Sequence, residues 1–148
     1  MSAIDTVRAF VTAIENNEEE GTVNPLADDF LFSGWTPRPL NKADFITTFA
    51  ELKSGIPSLM FNLHNLSEEG NRVTGSIQIA GYQSDSFSIP PLSLPPVPQM
   101  ARSISLPVED VTFELADNKI THWTVHHIEG GGIKGLLHQL GIDAPIIQ

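Results

Sequence analysis

KITHWTVHHIEGGGIKGLLHQLGI, residues 119–142, decides how the rest of the chain is read. Its first part alternates as a strand does, with Trp123, Val125 and His127 on one face and Ile120, Thr124 and Ile128 on the other. Gly130, Gly131 and Gly132 stop that strand and free the backbone to turn. Ile133, Leu136, Leu137 and Leu140 then recur at helical spacing, and Gly141 supplies the left-handed residue that ends a short helix. A histidine pair at the end of a strand, an aromatic nearby and a closing helix predict the mouth of a pocket.

Outward from this stretch, the signals are local. Ser2 and Asp5 resemble a capping box and open a helix through about Asn16, with Ile4, Val7, Phe10, Val11 and Ile14 as its apolar side. Asn24–Pro25 reads as a cap followed by a first-position proline, predicting a short helical turn and then a strand over Asp29 to Ser33. Asn41 caps the next helix, whose apolar residues are Phe45, Ile46, Phe49 and Leu52, and Gly55 with Pro57 ends it.

The period then changes to two. Leu59, Phe61 and Leu63 alternate with Met60, Asn62 and His64. Residues 68–71 turn the chain, and Val73, Ile77 and Ile79 carry a strand towards Gln83. Five prolines between 90 and 98 hold the following segment extended. It reads either as a stiff loop beside the pocket, with Phe87, Leu92, Leu94 and Met100 folded over it, or as a proline-rich ligand for a signalling module. The strand pattern resumes from Ser103 to Leu115, and Asp117–Asn118 suits a two-residue hairpin turn.

Helices first, then antiparallel strands, then a helix, predict a single α+β domain over 1–148. The 148 residues suffice for one core, and a 41% apolar content fits a globular chain. A net charge of −10 with 8 Lys and Arg speaks against nucleic acid or an anionic membrane as partner. No apolar run reaches the roughly 20 residues of a membrane span. The N-terminus has no secretory pattern, so cytoplasm is the expected location. Without cysteine there is neither a disulfide nor a thiolate metal site. His122 and His126 stand roughly 13 Å apart on a strand at ~3.3 Å per residue, too far to share one ion, and His126 and His127 point to opposite faces. No metal and no cofactor is expected. Strands apolar on both faces under one helical layer predict a homodimer through the sheet, with Met60, His64 and Ile128 on the outer face.

The strings ADDFLFSG, IPSLMFNLHNLSEEGNRV, DNKI with its following tryptophan, and GLLHQLGI together resemble the SnoaL-like polyketide cyclase branch of the nuclear transport factor 2-like superfamily. The resemblance runs roughly from Ile4 to Ile142. It implies a cone-shaped, curved antiparallel sheet around the N-terminal helices, usually dimeric, with an apolar cavity between them. Cyclase members commonly carry an aspartate four residues after the hairpin tryptophan, where this chain has His127. Many also carry a histidine two residues after the glycine matching Gly81, where this chain has Gln83.

Parity and helical phase direct Trp35, Phe49, Ile77, Ile79, Trp123 and Val125 inward as the lining of one pocket for a small, mainly apolar molecule. His127 shares a face with Trp123 and Val125, which the resemblance turns towards the cavity, and an imidazole there is suited to moving a proton alpha to a carbonyl. A bulge at the glycines would exchange it with His126. Two readings follow: a binding protein for an apolar ligand, or a cofactor-free cyclase or isomerase with His127 as base and Tyr82 or Gln83 steadying the enolate oxygen.

Overall fold

The computed structural model describes residues 2–143. Ser2 caps helix α1 (Ala3–Glu15), its hydroxyl accepting from the Asp5 amide at 3.1 Å. The next helix, α2 (Glu19–Val23), comes before Asn24–Pro25 rather than after it. The acidic run forms its first turn, where the positive end of a helix dipole favours carboxylates. Strand β1 (Leu26–Ser33) therefore starts directly after Pro25, and a short β2 (Leu40–Asn41) leads into α3 (Lys42–Gly55). As expected, Asn41 caps α3 by accepting from the Asp44 amide at 2.9 Å.

The remaining strands are β3 (His64–Glu69), β4 (Arg72–Ile77), β5 (Ala80–Tyr82), β6 (Ser103–Ser105), β7 (Glu109–Ala116) and β8 (Lys119–His126), and α4 (Gly132–Gln139) follows. One curved six-stranded sheet runs β2-β1-β8-β7-β4-β3, and β5 and β6 form a separate ribbon. All its pairs are antiparallel except β1 with β8, so the sheet is mixed. The expected strand over residues 59–63 is only an isolated bridge from Met60 to Ala80. Asn62 and Asn65 take left-handed backbone (φ 50° and 56°), which breaks the alternation that Leu59, Phe61 and Leu63 suggest.

Asp117 and Asn118 both have positive φ (51° and 63°), the turn that matches strand twist, and they join β7 to β8 tightly. Just beyond, Leu115 pairs with Ile120 while Glu114 pairs with His122, so Thr121 is the extra residue of a β-bulge. The bulge corrects the parity of Ile120. It turns inward beside Trp123 and is fully buried.

Inward residues of β1, β4, β7 and β8 pack on α1 and α3. Phe10, Phe30, Phe32, Phe45, Phe49, Phe61, Phe113, Trp35 and Trp123 form one contiguous aromatic core. The other face of the sheet is polar. Ser76 donates to Asp110 at 3.1 Å, His126 Nε2 lies 2.9 Å from the Thr112 hydroxyl, and Arg72 pairs with Glu114 at 3.1 Å. The ground for expecting a homodimer, an apolar outer face, is thus missing from β4, β7 and β8, although Met60 and Ile128 are exposed.

The proline segment folds onto its own domain. Phe87 and Val97 exchange backbone hydrogen bonds at 3.0 and 2.7 Å, and Phe87, Ile89 and Val97 are buried. A Cβ on Gly55 would come within 2.3 Å of the Phe87 ring, so the glycine that ends α3 also seats this loop. Its large apolar side chains are taken up by the core, which disfavours the signalling-ligand reading.

Lys53, near the end of α3, is 5% exposed, and its ammonium donates to the carbonyl oxygens of Glu15 and Pro57. Desolvation lowers its pKa from the ordinary lysine value, outweighing the opposing attraction of Glu15. Between the lowered folded value and the unfolded value of 10.5, the unfolded chain binds more protons. The Lys53 contribution to stability therefore rises with pH in that alkaline window. Urea melts of the native chain and Lys53→Met across the window should show this rising component only in the native chain.

Candidate functional site

Strand β8 ends at His126, and the chain turns through Gly130 (φ 87°) into α4. The other end of that helix is closed as its sequence predicts. Gly141 N–H donates to the His138 carbonyl and Ile142 N–H to the Leu137 carbonyl, at 2.9 Å each, with Gly141 left-handed (φ 86°). Between the end of β8 and the α4 face lies a cleft of about 620 Å³. His127, Gly131, Lys134, His138 and Ile142 are among its lining residues.

The residue beneath His127 is Glu109, the first residue of β7, with only 1% of its surface exposed. Its carboxylate accepts from the Trp35 indole at 3.1 Å and from the Ile128 amide at 3.2 Å. It also packs on Gly131, where a Cβ would come within 2.6–2.8 Å of the carboxyl atoms. Gly131 caps α4, so the carboxylate stands at the positive end of that helix, where an anion is favoured.

His127 Nδ1 lies 3.3 Å from Glu109 Oε2 and is shielded from solvent. The contact is not aligned as a hydrogen bond, and Nδ1 has no other partner among the described residues. The imidazole is 26% exposed, so its exposed edge is the one away from Nδ1. The carboxylate favours the proton on Nδ1, which leaves Nε2 on the cleft side with a free lone pair. An imidazole with one nitrogen against a carboxylate and the other open to a cleft has the geometry that proton transfer needs.

Among the sequence-predicted residues, His127 is the one that lines this cleft. His126 turns to the outer face against Thr112. Trp35, Phe49, Ile77, Ile79, Trp123 and Val125 are all inward and at most 2% exposed, but their bulk occupies the space between sheet and helices. Gln83 is fully buried and does not face the cleft; its amide donates to the Pro98 carbonyl and accepts from the Met100 amide, both at 2.8 Å. It pins the proline loop. Tyr82 is 45% exposed on the β5–β6 ribbon. Glu109 is the residue that sequence reading missed. Its signal was parity, since Glu109, Val111 and Phe113 share the inward face of one strand. No group of three or more His, Asp or Glu among the described residues is arranged to hold a metal ion.

No family model matches the sequence, and no curated protein matches it. Solved structures do match the fold. AclR from Streptomyces galilaeus superposes with a TM-score of 0.71 at 15% identity, over 94% of this chain and 95% of its own. A SnoaL-like polyketide cyclase from Agrobacterium tumefaciens gives 0.65 at 14%, over 87% and 93%. The chain has the same fold as these SnoaL-like structures. An LEH-like epoxide hydrolase from M. tuberculosis gives 0.67 at 18% identity, over 94% and 92%. At these identities the likeness is one of fold. Within this SnoaL-like fold, the His127–Glu109 pair lies where β7, β8 and the start of α4 converge.

Proposed function

We propose that the cleft binds a small, mainly apolar carbonyl compound and that His127 moves a proton on it, as a cofactor-free cyclase or isomerase does. The observation that carries this reading is the buried Glu109 carboxylate 3.3 Å from His127 Nδ1. A buried anion beside an imidazole orients the ring and supports the positive charge it gains as a base. In the step itself, a C–H bond alpha to the carbonyl breaks and an Nε2–H bond forms. The electron pair moves onto the carbonyl oxygen. Return of the proton to another carbon gives an isomer; attack of the enolate carbon on a second carbonyl of the same molecule closes a ring, and the alkoxide formed there takes the proton back from Nε2. The resemblance to solved structures that include a polyketide cyclase agrees with this class without naming a substrate.

The direct test is solvent exchange. Small ketones and β-keto esters, such as phenylacetone and ethyl benzoylacetate, are incubated with the protein in D₂O, and loss of the alpha-proton signal is followed by NMR. Exchange well above the buffer rate for at least one compound that shifts the cleft resonances is the expected result. Binding with no added exchange across the panel would leave a ligand-binding protein without turnover.

A further inference from the structure

A base works only on a molecule held with the right bond against it, so the cleft must also orient its ligand. His127 carries the deep end, with Nδ1 out of water against Glu109. The side chains of fixed charge that line the cleft are Glu129, Lys134 and Asp143. Asp143 is engaged, its Oδ1 lying 3.1 Å from His138 Nδ1. Lys134 has neither an ion pair nor a side-chain hydrogen bond among the described residues, and Glu129 does not come within ion-pair distance of it.

The lysine belongs to the first turn of α4, so its backbone is fixed. Gly131 and Gly135, three residues before it and one after, line the same cleft without side chains to fill it. A permanent charge at the exposed rim does little for a transient charge at the buried base, because water screens it. It suits a permanent charge on the ligand. One lysine with no arginine in the lining fits a single carboxylate better than a phosphate, which favours forked, multiple donors.

We propose that the cleft selects small apolar molecules bearing a carboxylate, which Lys134 meets while the apolar part lies towards His127 across Gly131 and Gly135. The substrate class becomes a small apolar keto acid, with simple arylalkanoic acids as ligands that bind without reacting. This deepens the proton-transfer reading and rests on it for the orientation of the ligand. The net charge of −10 does not steer such an anion in from a distance, so recognition is local to the lysine.

The test uses matched pairs, phenylpyruvate and phenylacetate each against its methyl ester. Binding is read from the amide shifts of Lys134 and Gly135 in the native chain and in Lys134→Met. The acids should bind about fivefold more tightly than their esters to the native chain, the scale of an exposed charge pair. In Lys134→Met the difference should vanish while ester binding stays the same. Equal binding of acid and ester, a preference that survives in Lys134→Met, or no binding by any acid overturns the assignment. His127→Asn separates this from the chemistry. It should keep the preference for acids and lose exchange, whereas exchange that persists there sinks the proton-transfer reading and leaves the lysine assignment to its own data.

Discussion

His127→Asn should slow catalysed exchange about 10²–10⁴-fold, the usual worth of a positioned acid or base, and leave ligand affinity nearly unchanged. Asparagine keeps an amide of similar reach but does not titrate near neutrality. An unchanged rate would end the catalytic role of His127. Glu109→Gln is the sharper companion, because the carboxylate has donors on both oxygens. Oε1 takes the Trp35 indole; Oε2 takes the Ile128 amide and faces His127. A glutamine has one acceptor end, so whichever way it turns, one buried donor meets an NH₂ group. That mismatch should cost about 1–3 kcal/mol of stability, measured by urea melts. If the amide end faces His127, it donates to Nδ1 and drives the ring proton to Nε2, removing the base. Exchange should fall by roughly the same 10²-fold or more, with the pH profile altered rather than scaled. A variant that loses stability but keeps its rate and profile would make Glu109 a folding residue alone.

What the sequence disclosed depended on how far apart the partners lie. The caps at Ser2 and Asn41, the Asp117–Asn118 turn and the Gly141 helix end are written within a few residues, and each forms as its side chains require. The inward face of Trp123 and Val125 was legible from alternation alone. The inward turn of Ile120 was not, because an unpaired Thr121 has no local mark and appears only in the register of β8 against β7. The parallel pairing of β1 with β8 joins residues about ninety positions apart and leaves no period to read. Glu109 combines both difficulties. Its partners are 19 and 74 residues away, and a carboxylate at a strand end is normally solvated.

The candidate site also shifted from where parity put it. Residues that face inward line a cavity only if they leave room, and the aromatic count decides that. Phe32, Phe45, Phe49 and Trp123 pack against one another at 4.6–6.1 Å between ring centres, so they exclude a ligand from the volume they surround. The cleft that His127 lines lies instead at the end of the sheet, beside the glycine turn. Gly131, one of three glycines that looked like a strand stop, is also what lets Glu109 approach the start of α4.

That division between filled core and open cleft gives Trp123 a large expected effect. Its ring is fully buried and meets Phe113 at 4.9 Å, Phe32 at 5.2 Å and Phe61 at 5.6 Å. Trp123→Ala should cost about 3–5 kcal/mol, against the ~5–15 kcal/mol that holds a typical domain together. The indole N–H softens the loss, since it is buried without a hydrogen-bond partner among the described residues and its removal relieves an unpaired donor. Trp123→Phe should therefore be much milder than the alanine variant. The space left by the alanine is apolar, and an apolar void of that kind takes up an aromatic guest. Indole or benzene should raise the melting temperature of Trp123→Ala and leave the native chain unmoved. A loss below about 1 kcal/mol, or a native chain stabilised equally by the guest, would mean that the core already holds usable space. The ligand would then belong between the sheet and the helices, not in the cleft beside α4.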